Sequence, residues 1–100
     1  FTNDNGGPNG TETSNYPLSG MKATFLEGGV RVPAIISYPG VIKKGATQQA
    51  YKLLDFLPAF INLAGYDKEI ANPLDGVDII PYLTGKNNGR PHQTLYWKIE

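Results

Sequence analysis

One hundred residues make at most one domain, and a chain of this size buries about two-thirds of its unfolded surface. A composition of 40% hydrophobic and 18% charged residues is globular and not disordered, and nine basic residues balance nine acidic ones, leaving no field that favours nucleic acid or an anionic membrane. Cysteine is absent and His92 is the single histidine, which excludes disulfides, thiolate sites and His-rich zinc sites; a bound metal here is a hard ion held by oxygens.

Phe1-Thr2-Asn3 reads as the last residues of a strand and runs straight into Asp4-Asn5-Gly6-Gly7. Asn-Gly is a strong turn signal, yet an acid and an amide on adjacent residues also suit a cation, and the residues alone leave both readings open. From Asp4 to Gly20 the chain is polar and carries six Gly or Pro residues. A structureless stretch of about 15 residues is uncommon in a compact domain unless it has a function or is disordered. Asn9-Gly10-Thr11 fits a glycosylation sequon. No apolar run approaches the roughly 18 residues of a membrane-spanning helix, and no signal peptide is visible.

Arg31 to Tyr38, RVPAIISY, is nearly continuous in apolar residues and predicts a strand buried on both faces, ended by Pro39-Gly40. In YKLLDFLPAFINLAG, Pro58 forbids one long helix. Asp55 as N-cap places Pro58 in the first turn, with Phe56, Leu57, Phe60, Ile61 and Ala64 as the apolar face and Gly65 as the stop. DIIPYLTG repeats this grammar, with Asp78 as cap, Pro81 in the first turn and Gly85 as stop. The chain closes on TLYWKIE, a strand-favouring segment. Both ends fall inside expected structure, so residues 1–100 read as a single incomplete segment of a larger domain.

FTNDNGG, PLSGMKATFLEGGVRVPAIISYPG, LLDFLPAFINLAG, PLDGVDIIPYLTG and LYW, in this order, resemble the later part of the type I sulfatases of the alkaline-phosphatase-like superfamily. The resemblance covers essentially the whole chain, and its most specific part is Gly20 to Pro33, similar to the pattern G-x-K-x-T-x-x-E-G-G-x-R-x-P. It implies an α/β fold with core strands, one capped helix, a short second helix and a closing C-terminal strand. It also implies hydrolysis of an aryl or carbohydrate sulfate ester by a formylglycine nucleophile, assisted by Ca2+ or Mg2+. That nucleophile comes from an upstream motif outside this chain, so residues 1–100 alone are expected to be inactive.

By the same resemblance Asp4 and Asn5 match two metal ligands and Lys22 matches a sulfate contact. Glu27 and Arg31 are assigned to structural support of the loop that presents Lys22. Met21 and Ala23 depart from the commonest motif, in which glycine is frequent. Histidine as a residue type suits acid-base work, but the RPH segment that holds His92 does not match the family's usual catalytic histidine and is read as structural. Ser37-Tyr38-Pro39 echoes S-x-P-x-R, but Val41 breaks the motif and Ser37 is rejected as a nucleophile. The implied partner is a sulfated small molecule or glycan, with no nucleic acid and no membrane, self-association through uncovered core surface, and a periplasmic or secreted location. Phosphodiester or phosphonate ester hydrolysis within the superfamily, and a non-catalytic module that kept the fold, remain the alternatives.

Overall fold

A computed structural model describes residues 1–98 except Thr11, Ala46, Gln48, Lys68 and Ala71. The sequon threonine and the last two residues of the expected closing strand, Ile99 and Glu100, therefore lie outside the described residues. The helices are α1 (Glu27–Val30), α2 (Phe56–Leu63) and α3 (Ile80–Leu83), with a 3₁₀ turn at Leu53–Asp55 leading into α2. The chain divides into two compact units, Phe1–Ser37 with the described residues from Trp97 on, and Tyr38–Tyr96.

In the first unit, Thr2 forms an isolated antiparallel bridge with Ala34. Phe1 nitrogen donates to Ile35 O, and Ile35 N–H donates back to Phe1 O, both at 2.8 Å. This corrects the expectation of a buried core strand at Arg31 to Tyr38. The segment is extended, but Ile35 is 66% exposed and the pairing stops at one bridge among the described residues. An apolar run states a tendency to be buried, whereas a ladder needs neighbours on both edges, and none of the described residues supplies a second one.

What this unit buries is backbone. Gly6, Gly28 and Gly29 are its buried residues among those described. Gly6 N–H donates to Gly29 O at 2.9 Å and Gly28 N–H to Ser19 O at 2.7 Å. A Cβ on Gly6 would run into the Gly28 carbonyl, and one on Gly28 would meet the Ser19 and Gly20 carbonyls. The two glycines of EGG are poor helix formers, yet α1 exists because only a residue without a side chain lets these segments approach.

In the second unit, Ala59 and Ile79 are each 1% exposed and Asp55 is fully buried. The helix stops follow the local sequence. Gly65 has φ 65°, and the N–H groups of Gly65 and Tyr66 donate to Asn62 O and Ile61 O, a Schellman ending for α2. Gly85, at φ 73°, ends α3 in the same left-handed region. Asp78 lies one residue before the N-cap of α3, which is Ile79 and not the expected Asp78; its Oδ1 accepts the Ile80 N–H at 2.9 Å and its Oδ2 takes the Asn62 amide at 2.7 Å.

The start of α2 is built differently from expectation. Asp55 does not cap α2 through its side chain. Its Oδ2 instead reaches back to the Lys52 N–H at 2.7 Å, while its own N–H donates to Lys52 O at 3.0 Å. The 3₁₀ turn thus absorbs Asp55, and Pro58 falls in the first turn of α2, where a missing N–H is harmless. The expected apolar face is also largely uncovered, with Leu57 53% and Phe60 62% exposed and Ala59 buried instead. FLPAFINL is apolar nearly all round, so periodicity does not choose which stripe is covered. At the chain's end, Leu95 is half-buried and Tyr96 is 85% exposed, with no bridge at residues 94–98, so the expected closing strand is not formed by the described residues.

Candidate functional site

The residues singled out by sequence lie on two segments of the first unit that are tied together by backbone. Met21–Thr24 is a tight turn in which Thr24 N–H donates to Met21 O at 3.0 Å. The Thr24 hydroxyl donates to Met21 O at 2.7 Å and accepts the Met21 N–H at 3.1 Å. Lys22 stands at the second position of this turn with its side chain exposed.

Ala23 occupies the third position at φ 68°, where type II turns favour glycine. The left-handed region penalises a Cβ, so Ala23→Gly is expected to raise stability by about 0.5–1 kcal/mol. A urea midpoint that falls on this substitution would contradict the turn geometry.

Asp4 is exposed and Asn5 half-buried, and the Asn5 N–H donates to Asp4 Oδ1 at 2.9 Å. The following residues fasten this segment to the Lys22 turn. Gly7 O accepts the Lys22 N–H at 3.1 Å, while Gly6 N–H reaches Gly29 O. Among the described residues, neither Asp4 Oδ2 nor the Asn5 side-chain amide is engaged in a hydrogen bond, so both retain oxygen donors for a hard cation. No group of three or more His, Cys, Asp or Glu is placed to hold a metal among the described residues. The chemistry of Asp4 and Asn5 fits such an ion, but two donors fill only part of the coordination shell that Ca2+ or Mg2+ requires.

Arg31 Nη1 donates to Glu27 Oε2 at 3.2 Å across α1, with both side chains more than half exposed. A pair this solvated contributes about 0–1 kcal/mol. Asn15 carries no family expectation, yet its side chain makes three hydrogen bonds. Oδ1 accepts the Gly7 N–H at 2.8 Å, and Nδ2 donates to Gly7 O at 3.0 Å and Gly20 O at 3.1 Å. The only local hint is its place at the start of an X-Pro turn, where Leu18 N–H donates to Asn15 O at 2.8 Å.

In the second unit, His92 Nε2 contacts both oxygens of the buried Asp55 at 2.9 and 2.8 Å. That contact gives the histidine a structural occupation inside its own unit.

A family model described as Sulfatase matches residues 1–66. The chain belongs to the sulfatase family. The sulfatase segment is 41% identical over 102 residues to arylsulfatase A of Bos taurus, covering 97% of this chain and 19% of that protein. It is 38% identical over 104 residues to a sulfatase of Formosa agariphila, covering 97% of this chain and 18% of the relative. It is 36% identical over 93 residues to the steryl-sulfatase of Rattus norvegicus, covering 90% and 16%. The chain therefore spans less than a fifth of the length of these relatives. Membership of the sulfatases carries the α/β fold and sulfate ester hydrolysis as family properties, while the sheet of that fold is represented here by one bridge among the described residues.

Proposed function

We propose that this chain is one segment of a sulfatase catalytic domain and supplies part of the site that hydrolyses an aryl or carbohydrate sulfate ester. The reading is carried by the Lys22 N–H bond to Gly7 O, which puts the lysine's turn and the Asp4-Asn5 segment in one hydrogen-bonded cluster. Asp4 and Asn5 would give two oxygen ligands to a divalent cation, which when bound acts as a Lewis acid and template. Lys22 presents a flexible ammonium to sulfate oxygens, where it neutralises charge that builds up as the ester bond breaks. Thr24 holds the turn that presents it, and the Glu27–Arg31 pair spans α1, the helix that follows that turn in the chain. The formylglycine nucleophile belongs to a segment outside residues 1–100. The names of the relatives, arylsulfatase and steryl-sulfatase, support an organic sulfate ester as substrate. A periplasmic or secreted location goes with this reading. The exposed apolar side chains of Leu57, Phe60 and Leu63 on α2 support self-association of the 100-residue chain when it is isolated.

The test is turnover of a chromogenic aryl sulfate with calcium by the protein carrying the complete sulfatase domain. Lys22→Ala is expected to lower kcat/KM by about 10²–10³, and residues 1–100 alone are expected to show no turnover. Full activity in Lys22→Ala, or clear turnover by the isolated chain, would overturn the reading.

A further inference from the structure

We infer that Asn15 is a positioning residue that holds the Lys22 turn against the Asp4-Asn5 segment. This inference rests on the reading of Asp4, Asn5 and Lys22 as one site. The Asn15 amide is used in both senses. Its oxygen takes the Gly7 N–H, and its nitrogen divides its two hydrogens between Gly7 O and Gly20 O. One side chain thereby grips the peptide that follows Gly6 and the residue two before Lys22. Gly7 O receives a second donor from Lys22 N–H itself, so the two segments share one carbonyl as their common anchor.

The chemistry of this bracket is specific to a primary amide. A carboxylate keeps the acceptor for Gly7 N–H but turns its other oxygen, now without hydrogens, toward two carbonyl oxygens. A hydroxyl has one hydrogen and cannot serve both carbonyls. An alanine leaves the half-buried Gly7 N–H and Gly20 O without their partner, and the Lys22 turn is then held to Gly7 by the Lys22 N–H bond alone, with Gly6 N–H to Gly29 O as the remaining tie of that segment. Because the peptides on either side carry the metal-facing and sulfate-facing groups, loosening them shifts one half of the site against the other. A misplacement of about 1 Å costs catalysis about 10²-fold without removing a reacting group.

The experiment compares wild type, Asn15→Ala and Asn15→Asp in the protein with its complete sulfatase domain, with Lys22→Ala alongside. Asn15→Asp retains one hydrogen bond and guards against a failure of the alanine variant to fold. Two readouts are taken: steady-state kinetics on a chromogenic aryl sulfate, and amide hydrogen exchange in metal-free protein. We expect kcat to fall about 10- to 100-fold with KM changing far less, and Asn15→Asp to be no better than Asn15→Ala. Exchange at the Gly7 and Lys22 amides should quicken at least about tenfold, as expected for local opening, while Phe60 on α2 keeps its rate. Unchanged exchange at Gly7 and Lys22 overturns the inference. So does faster exchange with wild-type kcat, since the bracket would then have no bearing on the site. If Lys22→Ala itself turns over normally, the site reading fails and the catalytic role of Asn15 falls with it. A crippled Lys22→Ala beside a normal Asn15→Ala overturns the inference alone.

Discussion

Replacing Asp55 with alanine is expected to destabilise the Tyr38–Tyr96 unit by about 3–5 kcal/mol. The carboxylate is fully buried and each of its oxygens is occupied. Oδ2 accepts the Lys52 N–H at 2.7 Å and Oδ1 the Val77 N–H at 3.0 Å, and His92 Nε2 faces both. This one group therefore ties the 3₁₀ turn before α2, the loop before α3 and the segment that follows α3. Removing it strands two backbone donors, each worth about 1–3 kcal/mol when buried and unpaired, and takes away the histidine's partner. His92→Ala should cost a similar amount for the opposite reason, because it leaves a buried carboxylate without the imidazole that contacts both of its oxygens. Since both changes break the same contact, the double variant should lose clearly less than the sum of the two. Urea unfolding of the four proteins measures this cycle. A loss below about 1 kcal/mol in Asp55→Ala, or strict additivity, would show that the buried pair does not hold the unit together.

In the protein carrying the complete sulfatase domain, Gly6→Ala should damage both stability and turnover, although it adds one methyl group and removes no functional atom. The Cβ would collide with Gly28 O, with the Gly28 carbonyl carbon and Gly29 Cα close behind, so the obstruction is backbone and cannot rotate away. Relief requires the two segments to part, which breaks the Gly6 N–H bond to Gly29 O. Overpacking of this kind costs about 1–3 kcal/mol, and the lost hydrogen bond adds about 1. Gly6 follows Asn5 directly, so the displacement reaches the proposed metal ligands, and kcat is expected to drop about 10²-fold. Gly45→Ala serves as the control, because a Cβ there meets nothing within 4 Å and Gly45 has no positive φ. It should stay within about 0.5 kcal/mol of wild type with normal turnover. If Gly6→Ala matched Gly45→Ala in melting temperature and kcat, the close approach of these two segments would be refuted.

How far the sequence predicts this structure depends on the range over which each signal acts. Gly65 and Gly85 end α2 and α3 where expected, because a helix stop needs one residue able to take positive φ and carbonyls a turn away. Asp78 accepts an N–H two residues along, and Pro58 sits where its missing N–H is harmless, again by local rules. Asp55 looked like the same device and is not. Its carboxylate finds a better set of partners in Val77, 22 residues on, and His92, 37 residues on. Nothing near Asp55 in sequence marks that choice. RVPAIISY is apolar enough for a core strand, but strand formation depends on an edge to pair with, which composition does not encode. Asn15 is similarly silent in one dimension, since an amide becomes a bracket only when Gly7 and Gly20 arrive around it.

The ordered motifs from FTNDNGG to LYW pointed to the sulfatase family by themselves, and the lack of cysteine with one histidine left oxygen as the main donor type these 100 residues can offer a cation. Local geometry likewise determined the two glycine helix stops. The tertiary structure alone decided that three glycines form the buried centre of the first unit, that Asp55 pairs with His92, and that Asn15 spans the Asp4-Asn5 and Lys22 segments. The division follows from the physics: φ preferences and capping act within a turn of chain. Steric close approach and the matching of buried donors to acceptors are properties of residues that meet only after the chain has folded.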